Sequence, residues 1–354
     1  MISENLLDKM EGAPMQQIPE LLDVEMEDFY QSINGGEKLF LLKAALDHEV
    51  FEFCDKPATA EEFSSTHGTH TGLTEKFFNA LAASGLLIKT DSTFQNSPLA
   101  SACFIEGKPF YQGNLIGLML KTRMERWANL GRCLKEGPLQ PKNDRRQVFD
   151  ARFTRAMAEG AMRGGLHRTV STVTALPEFQ TAKKLVDIGG GHGLYAIAFA
   201  QANPALESVV FDLPQVVEAT NDYIQSYEMQ DRVRAVAGDY TADSWGQGVD
   251  IVFASDCMYR PRAVLEPILS KIKDSLNPGG MFISKHWMMD DQRTSPDTTV
   301  YFDLMVSLMG NFSGHIYTNA EWRQVLDSAG FTVESVDISS PSKPSMIFVG
   351  RKKA

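Results

Sequence analysis

Cysteine is scarce: Cys54, Cys103, Cys133 and Cys257 are scattered over 354 residues, with no C-x-x-C pair. That excludes a disulfide framework and a thiolate zinc site, and it suits a reducing compartment. His67, His70, His167 and His192 show no metal-ligand spacing, so no metal is expected. No run of about 18 uncharged apolar residues occurs, so no membrane span is expected. Basic charge is in deficit, 34 Lys and Arg against 45 Asp and Glu, for a net charge of −11. A nucleic-acid partner, whose phosphates this chain would repel, is not expected. The opening Met1-Ile2-Ser3-Glu4-Asn5 is polar and acidic, unlike a signal peptide, and a cytoplasmic location is expected. No low-complexity tract or internal repeat interrupts the chain.

What remains has the composition of a globular protein, 43% hydrophobic and 22% charged. The length suits one very large domain or two ordinary ones.

The segment richest in information is Leu185-Val186-Asp187-Ile188-Gly189-Gly190-Gly191-His192-Gly193. An apolar run closes on a glycine-dense turn, and Leu194–Ala200 then has helical composition. Strand, turn and helix in that order put backbone at the carboxyl edge of a parallel sheet, where open α/β folds bind ligands. A dinucleotide fingerprint, G-x-G-x-x-G counted from Gly189, would need glycine where Leu194 stands. A Walker loop would need a lysine that does not follow Gly193. What stands is D-x-G-x-G-x-G. Asp212 ends a second apolar run, Ser208–Phe211, where an acid can accept both ribose hydroxyls. Asp239 closes a third, Arg232–Gly238. Three strand ends with acids and no phosphate clamp describe a nucleoside without a phosphate tail. S-adenosylmethionine (SAM), whose sulfonium and ammonium tolerate carboxylates, is such a molecule.

From Asp187 onward, strands alternate with helices. Strands are expected at Lys184–Ile188, Ser208–Phe211, Arg232–Ala237, Asp250–Ser255, Met281–Lys285, Thr332–Ile338 and Ser345–Gly350. Helices are expected at Pro214–Ser226, Pro261–Leu276 and Asn319–Ala329, with Asn277-Pro278-Gly279-Gly280 turning the chain between helix and strand. The fold class is α/β, a doubly wound Rossmann-like sheet. The first 180 residues read as mainly helical. Helices at Leu39–Leu46, Thr59–Thr66 and Thr74–Ala83, followed by a two-stranded wing at Gly85–Thr90 and Thr93–Asn96, resemble a winged helix. DNA binding by that module would make the chain a SAM-responsive regulator. The acidic charge, and the lack of a basic run around Thr74–Ala83, favour a dimerisation module instead. The expected organisation is a winged-helix-like dimerisation domain at 1–100, a helical linker contributing to the substrate pocket at 101–180 and a SAM-binding catalytic domain at 181–354.

From about Gly35 to Lys352 this order of features resembles the two-domain SAM-dependent O-methyltransferases, such as the plant caffeate, hydroxyindole and bacterial polyketide-tailoring enzymes. The likeness rests on Leu185–Gly193, Val210-Phe211-Asp212-Leu213-Pro214, Gly238-Asp239-Tyr240, Asp250–Ser255, Leu276–Gly280 and Tyr317–Phe331. It implies a cytosolic homodimer acting on a small molecule and releasing S-adenosylhomocysteine. Asp187, Gly189 and Gly191 would lie against the methionyl part, Asp212 with Leu213 against the ribose, Asp239 and Tyr240 around the adenine, and Ser255 beside the adenosine. Phe153 and Met157, four apart on a helix, fall where the family closes an apolar lid, although ordinary helix packing would give the same spacing.

The chain also departs from the family. Relatives usually carry His-Asp-Trp after the fourth strand, with the His deprotonating the acceptor. Tyr259-Arg260-Pro261 falls there, and Lys285 and Ile316 fall where two supporting acids are usual. A phenol has a pKa near 10, so a base assists its methylation by ~10²–10⁴-fold. The missing base therefore suggests an acceptor with no proton to lose. A carboxylate-bearing thioether is the favoured acceptor, resembling methylthiohydroxybutyrate in the S-methyltransferase branch of dimethylsulfoniopropionate synthesis. It would be methylated by positioning and exclusion of water. Arg123, Arg126, Arg155, Arg163, Arg260, Lys285 and His286 are candidate carboxylate holders. The alternative is O- or C-methylation of an aromatic or polyketide-like acceptor, with His286 restoring the base from another direction. Tyr259, Lys285 and His286 are thus the candidate catalytic residues, and Tyr259 could equally be a buried ring with a satisfied hydroxyl. Arg260, Trp287, Met305 and Met309 are candidate substrate contacts, though methionine at helical spacing often only fills core.

Overall fold

The computed structural model describes residues 27–140, 149–309, 316–340 and 343–352, so the polar opening of the chain lies outside the described residues. Ten strands are labelled in chain order: β1 Ala58–Thr59, β2 Leu87–Thr90, β3 Thr93–Asn96, β4 Lys184–Ile188, β5 Glu207–Asp212, β6 Val233–Ala237, β7 Val249–Ser255, β8 Leu276–Trp287, β9 Phe331–Asp337 and β10 Ser345–Lys352. The last seven form one sheet in the order β6-β5-β4-β7-β8-β10-β9. β4, β5, β6, β7 and β8 run parallel, whereas β10 is antiparallel to both of its neighbours.

The central strands are apolar nearly throughout because both faces are covered. All of β4 after Lys184 is buried, and so are Val249 and Ile251–Ala254 of β7. One face carries Leu185, Val210, Phe253 and Ile283 against the helix Leu194–Ala202 and Phe179. The other carries Val186, Phe211, Val252 and Phe282 against Leu265, Leu269 and Trp322 of helices Arg262–Ser275 and Asn319–Ser328. The sheet is built outward on both sides of β4, with β5 on one side and β7 on the other. A crevice opens at such a reversal, at the carboxyl ends of the strands. The glycine turn follows β4 directly into it.

Two expectations about local structure are corrected. Asn277–Gly280 does not separate helix from strand. β8 already begins at Leu276, paired with Val249, and the register is interrupted before Ile251 pairs with Met281. Gly279 (φ +77) carries the left-handed backbone of this irregularity, so the turn chemistry is spent inside a strand pairing. Secondly, the hairpin of β2 and β3 is part of a three-stranded sheet, because Ala58 and Thr59 pair with Phe94 and Thr93. Two residues are too short a run to show period-two alternation.

Helices Glu27–Asp47, Ala60–His67 and Thr71–Ala83 surround that small sheet. Phe51, Phe63, Phe78 and Phe94 form their common core, and a Thr59–Glu62 capping box starts the second helix. Helices Gly113–Trp127 and Ala151–Met162 pack on each other and lead toward the large sheet. Among the described residues no helix is long and apolar enough to cross a membrane.

Candidate functional site

Three neighbouring strand ends, those of β4, β5 and β6, bring the glycine turn, Asp212 and Asp239 to one edge. Gly189 (φ +63) and Gly191 (φ +55) hold left-handed backbone that a side chain disfavours. Gly190 leaves the space in which the Asp187 carboxylate lies, and a Cβ there would stand 2.6 Å from its carboxyl carbon. Asp187 is fully buried, and neither of its oxygens has a hydrogen-bond partner in the protein. Burial, and then the nearby Asp212, hold its pKa well above the usual carboxylate range.

Asp212 accepts the Gly191 N–H at 2.7 Å on one oxygen and the Leu213 N–H at 2.7 Å on the other. Each oxygen retains a lone pair for a further donor. Burial raises this carboxyl's pKa too, against the two N–H groups that favour its charge. Asp239 accepts both the N–H (2.9 Å) and the hydroxyl (2.6 Å) of Thr241. The Tyr240 hydroxyl donates to the Cys257 carbonyl at 2.8 Å and lies 3.5 Å from an Arg260 guanidinium nitrogen. Gly189 faces this pair: a Cβ there would stand 3.1 Å from Cys257 and 3.3 Å from the Tyr240 ring.

The ends of β7 and β8 carry a second polar group. Asp256 follows β7 in left-handed backbone (φ 56), which an aspartate tolerates better than most residues. One of its oxygens receives Lys285 Nζ at 2.5 Å and Lys343 Nζ at 2.9 Å, and the other accepts the Tyr259 hydroxyl at 2.9 Å. Burial alone would raise the Asp256 carboxyl's pKa. The two ammonium groups outweigh it and hold the carboxyl well below its ordinary range. Tyr259 also accepts the Trp287 N–H at 2.9 Å, so its one hydroxyl proton is committed to Asp256 while its oxygen accepts from the backbone. Burial and the Asp256 charge push its pKa well up. Lys285 has no exposed side-chain surface, whereas Lys343 keeps 23%. His286 projects to the opposite face of β8, among Trp322, Tyr259 and Phe348, with both ring nitrogens unpartnered. Burial lowers its pKa to about 3.

The other predicted residues lie on the following elements. Ser255 ends β7 half-buried, near Tyr195 of helix Leu194–Ala202. Trp287 stacks on Phe302 at 4.8 Å and lies under the Lys343 ammonium at 5.4 Å. Phe153 and Met157 lie half-buried on helix Ala151–Met162, whose start is capped by Asp150. Met305 is buried on helix Asp297–Ser307, and Met309, just beyond it, bridges Leu139. Among the described residues no group of His, Cys, Asp and Glu is arranged to hold a metal ion.

Comparison with known proteins decides the family. A model of the O-methyltransferase domain matches residues 141–332, more than half of the chain. The chain belongs to that family. It is a methyltransferase. Over 319 residues it is 28% identical to the tetracenomycin polyketide synthesis 8-O-methyl transferase TcmO of Streptomyces glaucescens, covering 88% of this chain and 92% of that one. It is equally similar, 28% over 314 residues, to an uncharacterised protein of Methanocaldococcus jannaschii, covering 85% of this chain and 82% of that one. The structure of human N-acetylserotonin methyltransferase in complex with SAM superposes with a TM-score of 0.79 at 19% identity, covering 95% of this chain and all of that one.

Within the O-methyltransferase family the polar group beside β7 takes on meaning. Sequence reasoning placed Lys285 and Ile316 where relatives carry acids and found no acid nearby. The structure supplies one from a different position, Asp256, and fixes Lys285 to it. Ile316 is fully buried with Tyr259 and Met289. Asp256 was legible as a fourth acid at a strand end, one residue beyond Ser255. Lys343 carried no such signal, since it lies 87 residues from its partner in an unremarkable Pro-Ser-Lys-Pro stretch.

Proposed function

We propose that this O-methyltransferase family member transfers the methyl group of SAM to a hydroxyl oxygen on an aromatic or polyketide-like small molecule. The observation that carries the reading is the ridge of carboxylates and glycine backbone along β4, β5 and β6 in a chain of this family. The residues fit SAM: Asp187 is a buried acid with neither oxygen hydrogen-bonded, and the positive charge of SAM would offset its charge. Asp212 keeps lone pairs for ribose hydroxyls, and Asp239 and Tyr240 stand beside it for the adenine. When bound, SAM supplies an electrophilic methyl carbon. The protein's own task is to hold an acceptor oxygen in line with that carbon and to exclude water.

The acceptor favoured from the sequence, a thioether methylated on sulfur, finds no support among the relatives, whereas the alternative, O- or C-methylation of an aromatic or polyketide-like acceptor, does, and oxygen is the commoner target among them. The argument for sulfur was the loss of the histidine together with the two acids that support it, and an acid, Asp256, stands in that region with Lys285 and Lys343. Phe153, Met157, Met305, Met309 and Trp287 would supply the apolar walls that a planar acceptor needs. Helix Glu27–Asp47, which leaves Ile33 and Phe40 exposed, would pair two copies of the chain.

Incubation of the protein with methyl-labelled SAM and a panel of phenols, thioethers, thiols and carboxylic acids, followed by mass analysis, tests the reading. Label is expected on phenolic oxygen. Label appearing only on a thioether sulfur would reinstate the reading from the sequence.

A further inference from the structure

We propose that the side-chain amine of Lys343 takes the proton from the acceptor hydroxyl, acting as the general base where the histidine usual in this family is missing. The inference rests on the O-methylation reading and names its base. Four groups stand near the right place, and the geometry removes three. Lys285 is fully buried and held by Asp256 at 2.5 Å. Tyr259 spends its hydroxyl on Asp256 and on the Trp287 N–H. The His286 ring is enclosed by Tyr259, Trp322 and Phe348 on the other face of β8. Lys343 alone reaches the strand edge with part of its side chain open, over the Trp287 ring.

Charge balance explains why this amine can be neutral. Two ammonium groups converge on a single carboxylate oxygen, so one positive charge is left uncompensated. Lys285, sealed from water, is the one that Asp256 must neutralise, because an unpaired ammonium is costly to bury. Lys343 then faces a site already balanced. The groups around it are Asp256 at the end of β7, Lys285 on β8, Tyr195 on helix Leu194–Ala202 and His192 in the glycine turn. Burial lowers its pKa most; the Asp256 charge opposes this, the Lys285 charge adds to it, and Tyr195 and the hydrogen bond to Asp256 oppose it again. The Lys343 Nζ lies against the Asp256 carboxylate at the end of β7 and over the Trp287 ring at the end of β8. An acceptor bridging donor and apolar walls would lie there.

The step balances. The Lys343 lone pair takes the hydroxyl proton, leaving the bonding pair on oxygen. The oxygen–carbon bond forms as the carbon–sulfur bond of SAM breaks, with its pair remaining on sulfur. Lys343 afterwards returns the proton to water, and Asp256 and Lys285 stay paired throughout.

Two measurements decide the proposal. Competitive acetylation of the full-length protein with acetic anhydride across a pH series, read by mass spectrometry, gives the ionisation of Lys343 without any acceptor. Its midpoint is expected below the ~10.4 of a free lysine. A midpoint at or above that value overturns the proposal. The second measurement compares 1-naphthol with a nitro-substituted naphthol already ionised at the assay pH. Lys343→Met and Lys343→Arg are both expected to lose ~10²–10⁴-fold in kcat on 1-naphthol, and to recover most of that loss on the nitronaphthol. Activity retained by Lys343→Arg on 1-naphthol would show a charge clamp instead of a base. Equal losses on both acceptors would show a structural role. Either overturns the proposal. If the wild type methylates neither naphthol, it is the acceptor reading that fails, and the acetylation midpoint still decides whether Lys343 is a poised base.

Discussion

Lys285 and Lys343 share one oxygen of Asp256, at 2.5 and 2.9 Å, although one lysine comes from the interior of the sheet and the other from the loop before its last strand. The arrangement ties the ends of β7 and β8 to that loop, so Asp256 has a structural task beside any chemical one.

Removing the carboxylate leaves Lys285 buried and uncompensated. Asp256→Ala is expected to destabilise the fold by about 3–5 kcal/mol, the usual cost of breaking a buried ion pair from one side. Urea unfolding at pH 7 measures it, and a loss within experimental error would mean that water reaches Lys285. The carboxyl's pKa is held below its unfolded value of ~3.9, so this contribution is complete above that pH. It is lost only as pH falls further, toward the folded value.

His286 gives a different pH signature. Its folded pKa of about 3 lies below the ~6.5 of the unfolded chain. The unfolded state therefore binds the extra proton between those values, and stability falls as pH drops from about 6.5 toward 3. His192, lowered to about 4 by burial and by the two lysines, acts in the same sense. His286→Leu replaces an unpartnered buried ring by an apolar group. It should change stability at pH 7 by no more than about 1 kcal/mol and flatten the acid slope, because the buried nitrogens make no hydrogen bond to lose. Denaturant midpoints at pH 7, 6 and 5 for both proteins check this. An unchanged slope would show that the ring is hydrated and free to take a proton.

The strands around the site were legible because each is an apolar run that ends in an acid or a turn, and burial on both faces makes such runs continuous. Asp187, Gly189, Gly191, Asp212 and Asp239 stand at consecutive strand ends, where spacing along the chain translates directly into spacing across the sheet. The lysine–aspartate group was not legible in the same way. Asp256 and Lys285 lie 29 residues apart and Asp256 and Lys343 lie 87 apart, so their meeting depends on the order in which strands pair. The alternation along β8 was visible, but not which face would be sealed. That left Lys285 and His286 with equal claims, whereas the first joins Asp256 and the second is enclosed by aromatic rings. Asn277–Gly280 read as a connection because Pro and Gly usually end elements, and here the strand pairing overrides them.

Gly190 tests how tightly the turn is built. A methyl group there would meet the Asp187 carboxyl carbon at 2.6 Å and a Val210 methyl at 2.8 Å. Gly190→Ala should cost about 1–3 kcal/mol of stability through forced displacement of the packed core, and should weaken SAM binding with it. Thermal unfolding and SAM titration on the same sample measure both effects. A variant that keeps wild-type values in each would show that the turn relaxes freely, against its being a fitted cradle.

Isothermal titration of SAM into the wild type and into Asp212→Ala most directly tests the assignment of the sheet edge as the cofactor site. Binding is expected to the wild type, weakened by about 1.5–3 kcal/mol in the variant, roughly ten- to a hundredfold, as for loss of hydrogen bonds to a charged group. The absence of SAM binding to the wild type, or the same affinity in both proteins, would contradict the assignment.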